Sequence, residues 1–182
     1  MVGIETRAAR AVDAEAIARV HVESWRVGYR GLLADNLIAD LSISKREQMW
    51  RERLLGGDNE AQRRVYVAVE RETIVGFVSA GPSRDEQASA GDGEIYAIYV
   101  RPDRWSAGVG RALMRSAVDF LVAIEVTAAV LWVLASNERA RRFYELLGWT
   151  CDGRTRTRSL TGPTDDVQVA YEVEEACFRR SI

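Results

Sequence analysis

The chain has 182 residues, of which 47% are hydrophobic and 29% are charged, and its net charge at neutral pH is −2. This length fits one folded domain, and the composition is typical of a globular protein. The small net charge argues against a broad basic surface that follows nucleic acid phosphates. No apolar run reaches the roughly 18 residues that a membrane-spanning helix needs, so no membrane partner is expected.

Cysteine content and the first residues predict a cytoplasmic protein. Cys151 and Cys177 are the only cysteines, and two are too few for a disulfide framework in a domain of this size. The chain does not open with a basic segment followed by an apolar one, as a signal peptide would. No residue spacing typical of a metal site or of a Ser/His/Asp nucleophile is present, so no metal is expected.

The first half of the chain predicts one short strand, three helices and a β-hairpin. Asp13 is a suitable N-cap for the first helix, and Ser44 with Glu47 has the capping-box spacing that starts the third. Alternation of valines from Val65 to Val69 then predicts a strand, and a tight connection leads into its partner. In chain order the elements are a strand at 4–8, helices at 13–29, 36–41 and 44–57, and strands at 65–70 and 74–79.

The second half alternates strands and helices. A polar, glycine-bearing segment from Pro82 to Asp92 predicts a loop, and the continuous apolar run at 128–134 predicts a strand covered on both faces. The elements are strands at 94–100 and 128–134, helices at 108–124 and 137–147, and final strands at 150–158 and 167–173. This order predicts an α+β arrangement in which the two central βα units carry the ligand.

A glycine turn joins the strand at 94–100 to the following helix. The segment Gly108-Val109-Gly110 allows close approach of an anion to the backbone. The first N–H groups of the following helix have no intrahelical partner, and the positive end of the helix dipole also attracts an anion there. A pyrophosphate fits such a site. A Rossmann turn would need Gly or Ala where Leu113 stands, and no P-loop string exists. Alone, the segment is equally well explained as a simple turn into a helix.

A second segment combines polar and aromatic residues. Asn137 lies where a strand becomes a helix, which suits an N-cap, and Phe143 and Tyr144 suit a core. Gly148 and Trp149 follow as a helix stop and a strand start. On these residues alone, a structural role is the simpler interpretation.

Together the two segments resemble the GNAT acetyltransferase family. The first resembles its Q/R-x-x-G-x-G/A pyrophosphate segment, and the second resembles N-x-x-A-x-x-F-Y-x-x-x-G-F/W. The resemblance implies a single domain over residues 1–182 with the acyl-CoA N-acyltransferase fold, an α/β three-layer arrangement in which about seven strands form a mixed sheet flanked by about four helices. It also implies acetyl-CoA as cosubstrate and an amine acceptor, while homodimerisation stays open. Trp105 stands at the Gln/Arg position, which puts acyl-CoA choice in doubt, and Arg104 or Arg111 is the expected substitute.

The resemblance also implies where the cofactor lies. Acetyl-CoA would occupy a gap between the strands at 94–100 and 128–134, with the backbone of Ile98 and Val100 bonding the pantetheine. An N–H near Ile98 or Tyr99 would face the thioester oxygen. The implied cofactor residues are Ile98, Tyr99, Val100, Arg104, Trp105, Ser106, Ala107, Gly108, Val109, Gly110, Arg111, Asn137, Ala140 and Tyr144.

Two residues are candidates for proton transfer. Glu94 opens its strand fourteen residues before Gly108, where family members carry a glutamate base, and strict alternation would put it on the same face as Ile98. The alternative is a solvated charge at a strand end. Tyr144 matches the family tyrosine near the CoA sulfur and is the candidate general acid.

The acceptor is expected near the first helix. His21, Trp25 and Tyr29 recur every four residues, and with Glu94 the two aromatics could hold an amine by cation–π contact. Packing of these residues in the core explains the pattern equally well. The sequence thus predicts acetyl transfer to a primary amine, with a small molecule as the leading acceptor. A protein N-terminus or lysine is the second interpretation, and a non-catalytic acetyl-CoA-binding module is the third.

Overall fold

The computed structural model of the chain describes residues 3–56, 62–85, 88–89, 91–164 and 167–182. Within these ranges the chain forms seven strands and five α-helices. The elements are β1 (Glu5–Ala8), α1 (Ala14–Gly28), α2 (Asp35–Ala39), α3 (Ile43–Leu55), β2 (Arg64–Glu70), β3 (Thr73–Pro82), β4 (Asp92–Val100), α4 (Val109–Ala123), β5 (Ala128–Leu134), α5 (Glu138–Leu146), β6 (Thr150–Thr164) and β7 (Val167–Ser181). The predicted α+β fold with a seven-stranded mixed sheet is confirmed.

The strands form one sheet in the order β1-β2-β3-β4-β5-β7-β6. All neighbouring pairs are antiparallel except β4 and β5, which are parallel. The β4–β5 pairing runs only from Asp92 opposite Ala128 to Ile95 opposite Leu131. Both strands continue past that point without pairing with each other, so a gap opens between residues 96–100 and 132–134.

Helices cover both faces of the sheet. On one face α4 packs through Leu113 and Leu121 against strand residues such as Val78 and Phe178. On the other, α1 and α3 pack around Phe77. The chain therefore has three layers, and its apolar core is divided by the sheet into two parts. None of the helices within the described ranges is long and apolar enough to cross a lipid bilayer.

Two helix starts differ from the sequence prediction. Helix α3 is capped by Ser42, whose Oγ accepts the N–H of Lys45 at 3.3 Å, so the predicted capping box at Ser44 is wrong. Asp13 does precede α1, but its carboxylate accepts from Arg7 and from the N–H of Arg10 instead of capping that helix. Asp13 is thus taken by polar groups that precede α1, and the N-cap of α3 lies two residues earlier than predicted.

A β-bulge in β4 changes which side chains share a face. Ala80 of β3 lies opposite Ile95 and Ser79 lies opposite Ala97, so Tyr96 is the extra residue. Ile95 packs with the α4 core and so does Ile98, whereas Ala97 packs with the α1/α3 core. The side-chain alternation therefore reverses at the bulge. The predicted sharing of a face by Glu94 and Ile98 is wrong, because Glu94 lies on the α1/α3 face with Ala97.

His21 is part of the core between α1 and α3. Its ring stacks on Tyr99 with centroids 4.9 Å apart, and its Nδ1 accepts the indole N–H of Trp50 at 3.2 Å. Burial, together with the charges of Arg46 and Arg53, lowers the pKa of His21 to about 3. The core interpretation of His21 is supported, and a residue with this pKa is a poor proton acceptor at neutral pH.

The depressed pKa of His21 predicts a pH-dependent stability. Between about pH 6.5 and pH 3 the unfolded chain binds a proton that the folded chain excludes, so the free energy of unfolding falls as the pH falls. We expect His21→Asn, whose side-chain oxygen can still accept from Trp50, to reduce that slope by about 1 kcal/mol per pH unit between pH 6 and pH 4. Urea unfolding of the unsubstituted protein and of His21→Asn at each pH measures the slope. An identical slope would contradict the buried, neutral histidine.

Candidate active site

A cavity of about 740 Å³ lies where β4 and β5 separate. Its walls come from the ends of these two strands, the last turns of α1, and the starts of α4 and α5. Residues of β6 and β7 complete it on the far side. The cavity is therefore a direct consequence of the interrupted β4–β5 ladder, and it brings together residues from almost every part of the chain.

The backbone of β4 presents hydrogen-bonding groups to this gap. Arg101 donates its N–H to Val75 of β3 at 2.9 Å, so in an antiparallel ladder the N–H groups of Val100 and Ile98 point the other way. The carbonyl of Val100 already accepts from Ser24 Oγ at 2.9 Å and from Trp105 Nε1 at 2.8 Å. Two N–H groups thus remain directed into the gap, while the carbonyl of Val100 is occupied.

The glycine turn forms the start of α4. Gly108 is the N-cap and has a φ of 87°, in the left-handed region that favours glycine. Gly110 serves packing instead, because a Cβ there would lie 3.1 Å from the ring of Phe143 on α5. Val109 is buried in the core. The cavity is lined by Ser106, Gly108 and Gly110, whereas Ala107 and Val109, also predicted as cofactor residues, do not line it.

Arginines surround this turn. Arg104 is engaged by Glu70, with 2.6 Å between Nε and Oε2, and by Asp103. Arg111 is exposed, lines the cavity, and forms no ion pair with any described residue. Trp105, at the departing motif position, stacks under Arg139 at 3.5 Å. Of the two predicted substitutes for the missing Gln or Arg, Arg111 is the one with an uncommitted guanidinium.

Helix α5 contributes a cap and a tyrosine. Asn137 Oδ1 accepts the N–H of Ala140 at 3.1 Å, which confirms the N-cap, and both residues also line the cavity. Tyr144 lines the cavity with 8% of its surface exposed, and burial raises its pKa. Its phenol is therefore protonated at neutral pH and able to donate a proton.

Aromatic residues of α1 and β4 form one wall, which we call the aromatic wall: Trp25, Tyr29 and Tyr99. The rings of Trp25 and Tyr29 meet edge to face with centroids 4.9 Å apart, and the hydroxyls of Tyr29 and Tyr99 lie 3.4 Å apart. Trp25 and Tyr29 pack against Leu33 and Leu160, which bound the same end of the cavity. The two predicted acceptor residues are thus both core-packed and cavity-lining.

Glu94 is held by an arginine rather than facing the cavity. It is 3% exposed, and Arg84 donates to it from its backbone N–H at 2.9 Å and from its guanidinium at 2.7 Å. The alternative of a solvated strand-end charge is wrong. Glu94 is not one of the residues that line the cavity, although it lies on the sheet face of the aromatic wall.

Glu175 is a cavity carboxylate that the sequence analysis missed. It is 5% exposed, and it accepts from Arg156 at 2.7 Å and from Arg158 at 3.3 Å. It lies opposite Leu134, where β5 borders the gap. The predicted strand stopped at Val173 because two glutamates follow. The alternation of Tyr171, Val173, Glu175 and Cys177 was the signal that the strand continues.

Comparisons with known proteins agree with this architecture. The sequence matches the family model described as "Acetyltransferase (GNAT) family" over residues 20–149. It is 36% identical to the uncharacterised N-acetyltransferase YuaI of Bacillus subtilis (strain 168), over 74% of this chain and 73% of that protein. An uncharacterised N-acetyltransferase of Archaeoglobus fulgidus is 34% identical over 78% of this chain and 89% of its own.

Solved structures extend the likeness to the fold. PaiA N-acetyltransferase from Thermoplasma acidophilum, in complex with coenzyme A, superposes with a TM-score of 0.73 at 19% identity, covering 99% of each chain. At that identity the likeness concerns the fold alone, whereas the family match covers most of the chain. The chain belongs to the acetyltransferase (GNAT) family.

Proposed function

We propose that this protein is an acetyl-CoA-dependent N-acetyltransferase whose acceptor is a small primary amine. The observation that carries the proposal is the gap between β4 and β5. Two backbone N–H groups are directed into it, a glycine turn with an uncommitted arginine borders one end, and an aromatic wall borders the other. This arrangement suits a long thiol ester with phosphates at one end and a reacting carbonyl at the other.

The cofactor would bind along β4. The pantetheine amides would pair with the N–H groups of Ile98 and Val100 as an added strand would, which is common for extended ligands at open sheet edges. The pyrophosphate would lie at the N-terminus of α4, beside Arg111. In the related fold of PaiA the bound ligand is coenzyme A.

Acetyl transfer would proceed by direct attack. The neutral amine forms the C–N bond, the C–S bond breaks, the amine loses one proton and the CoA thiolate gains one. The N–H of Tyr99 faces β3, so Ile98 is the donor best placed for the thioester oxygen. Tyr144 lines the cavity, and its phenol is the proposed proton donor to the departing thiolate.

Two carboxylates are candidates for accepting the proton of the amine. Both are buried and paired with arginine, Glu94 with Arg84 and Glu175 with Arg156 and Arg158. Glu94 matches the family position of the base but does not line the cavity. Glu175 lines the cavity beside Leu134 and the aromatic wall. We therefore give Glu175 the first place in the proposal and keep Glu94 as the alternative.

The shape of the acceptor end supports a small molecule over a protein. Leu33, Leu134, Trp25 and Leu160 belong to one apolar cluster, and all four line the cavity. A concave cavity of about 740 Å³ with a largely apolar lining has the size typical of small-ligand sites. A polypeptide acceptor would need an open groove.

We expect Tyr144→Phe to lower the turnover number about tenfold to a hundredfold, because the departing thiolate loses its proton donor. The affinity for acetyl-CoA should change little, since the ring remains. Release of free thiol from acetyl-CoA with a panel of amines measures turnover, and calorimetry measures affinity. Tyr66→Phe, on β2 and outside the cavity, is the matched control. Equal turnover in both variants would remove Tyr144 as the acid.

We expect Glu175→Gln to lower kcat/KM about 100-fold or more at neutral pH, because a positioned base typically contributes that much. Glu94→Gln should cost less than tenfold, since Glu94 does not line the cavity. The Glu175→Gln deficit should shrink at high pH, where the amine is already neutral. The same thiol-release assay, run across a pH series, measures the deficits of both variants and their pH dependence. A larger, pH-dependent deficit in Glu94→Gln would return the base to Glu94.

A further inference from the structure

The charges that line the cavity are unbalanced. Among the described residues, one carboxylate and five arginines line it: Glu175, Arg104, Arg111, Arg139, Arg142 and Arg158. Four of the arginines belong to the starts of α4 and α5 or to the turn before α4. The phosphates of the proposed cofactor account for positive charge there. Arg158 lies on β6, at the end bounded by the aromatic wall, where the cofactor phosphates offer no explanation.

The guanidinium of Arg158 has hydrogen-bond donors that Glu175 does not use. Its Nη1 lies 3.3 Å from Oε1 of Glu175, a long contact, while Arg156 takes the other oxygen of the same carboxylate at 2.7 Å. The side chain of Arg158 is 54% exposed in the cavity wall. A guanidinium carries five N–H donors, and among the described residues only Glu175 accepts from Arg158. Two arginines sharing one carboxylate leave a net positive charge at this end.

A second guanidinium, that of Arg46 on α3, lies near the same wall. Arg46 lies 5.8 Å from the ring of Trp25, is partly buried, and has the sulfur of Met49 as its hydrogen-bond partner. None of the ion pairs among the described residues includes Arg46, but Arg46 is not one of the residues that line the cavity. Arg46 therefore adds positive charge near the aromatic wall, whereas Arg158 is the arginine that can contact a ligand at this end.

Tyr99, Arg158 and Glu175 all line the cavity, and Arg158 contacts Glu175 directly. Burial raises the pKa of Tyr99, and the charges of Arg158 and Arg46 oppose that shift. A carboxylate bound by Arg158 would lie close to Glu175, which could receive a positive group on the same molecule.

We propose that the acceptor carries a carboxylate on the same small molecule as its amine, with Arg158 binding the carboxylate and Glu175 receiving the amine. The proposal names the substrate class of the active site and rests on the proposed acetyl transfer. Amino acids are the simplest molecules that carry both groups. Arginine binds carboxylates through paired, charge-assisted hydrogen bonds, which gives the selectivity.

The test compares each amino acid with its decarboxylated amine, for example leucine with 3-methylbutylamine and phenylalanine with 2-phenylethylamine. Both members of a pair are ammonium ions with the same side chain at neutral pH, and the amino acid adds a carboxylate, which also lowers the pKa of its amine; the binding measurement is therefore read beside the rate. Binding to the CoA-saturated protein is measured by calorimetry, and thiol release from acetyl-CoA gives kcat/KM. We expect at least one amino acid to be favoured over its amine by about tenfold or more in both measurements.

Three variants locate the effect. Arg158→Gln should reduce the acid-over-amine ratio about tenfold, and Arg46→Gln should reduce it less, because Arg46 does not line the cavity. Arg51→Gln, on the exposed side of α3 and paired with Glu47, should leave the ratio unchanged. The acid-over-amine ratio is compared, rather than activity itself, because a Glu175 displaced by the loss of an arginine partner would change the values for both members of a pair equally.

The outcomes separate this proposal from the proposed function. Thiol release that favours the plain amines, or a preference for acids that survives in Arg158→Gln, overturns the carboxylate site and keeps the acetyltransferase. Tight binding of amino acids without thiol release overturns the acetyltransferase and keeps the site. Absence of both binding and release overturns both.

Discussion

The short parallel ladder between β4 and β5 is the constraint on which the rest of the site depends. It has four residue pairs, from Asp92–Ala128 to Ile95–Leu131, and both strands then continue apart. A parallel pair that separates exposes N–H groups inside the protein, where unpaired backbone groups are costly. A ligand that supplies amide oxygens in strand-like geometry removes this cost, which makes the gap a binding site for an extended molecule.

The contacts around the gap hold its two sides in place. Ser24 of α1 and Trp105 both donate to the carbonyl of Val100. The close approach of α4 to α5 depends on Gly110, because a Cβ there would meet Phe143 at 3.1 Å. The bulge at Tyr96 rotates the end of β4, so that Tyr99 turns toward α1 and joins the aromatic wall. The same strand, β4, therefore positions residues at both proposed ends of the cavity, the cofactor end and the acceptor end.

Much of the fold could be predicted from the sequence because its periodicities are strong. The helix at 109–123 and the apolar strand at 128–134 follow directly from apolar spacing, and the motif residues around Gly108 and Asn137 locate the two βα units. The bulge could not be predicted, because strict alternation was the only available rule and one extra residue reverses it. Glu175 was missed for a related reason. In the sequence, Glu175 looks like a polar residue that ends a strand. In the structure it is a buried carboxylate within β7, paired with Arg156 and Arg158 of the neighbouring strand.

The central claim is that the gap and the glycine turn bind acetyl-CoA with its pyrophosphate beside Arg111. Calorimetric titration of acetyl-CoA into Arg111→Glu and Arg115→Glu tests it most directly. Both residues are exposed on α4, one turn apart, but only Arg111 lines the cavity. The account predicts that Arg111→Glu weakens binding about tenfold or more and that Arg115→Glu changes it less than about threefold. Equal affinities in the two variants would contradict it.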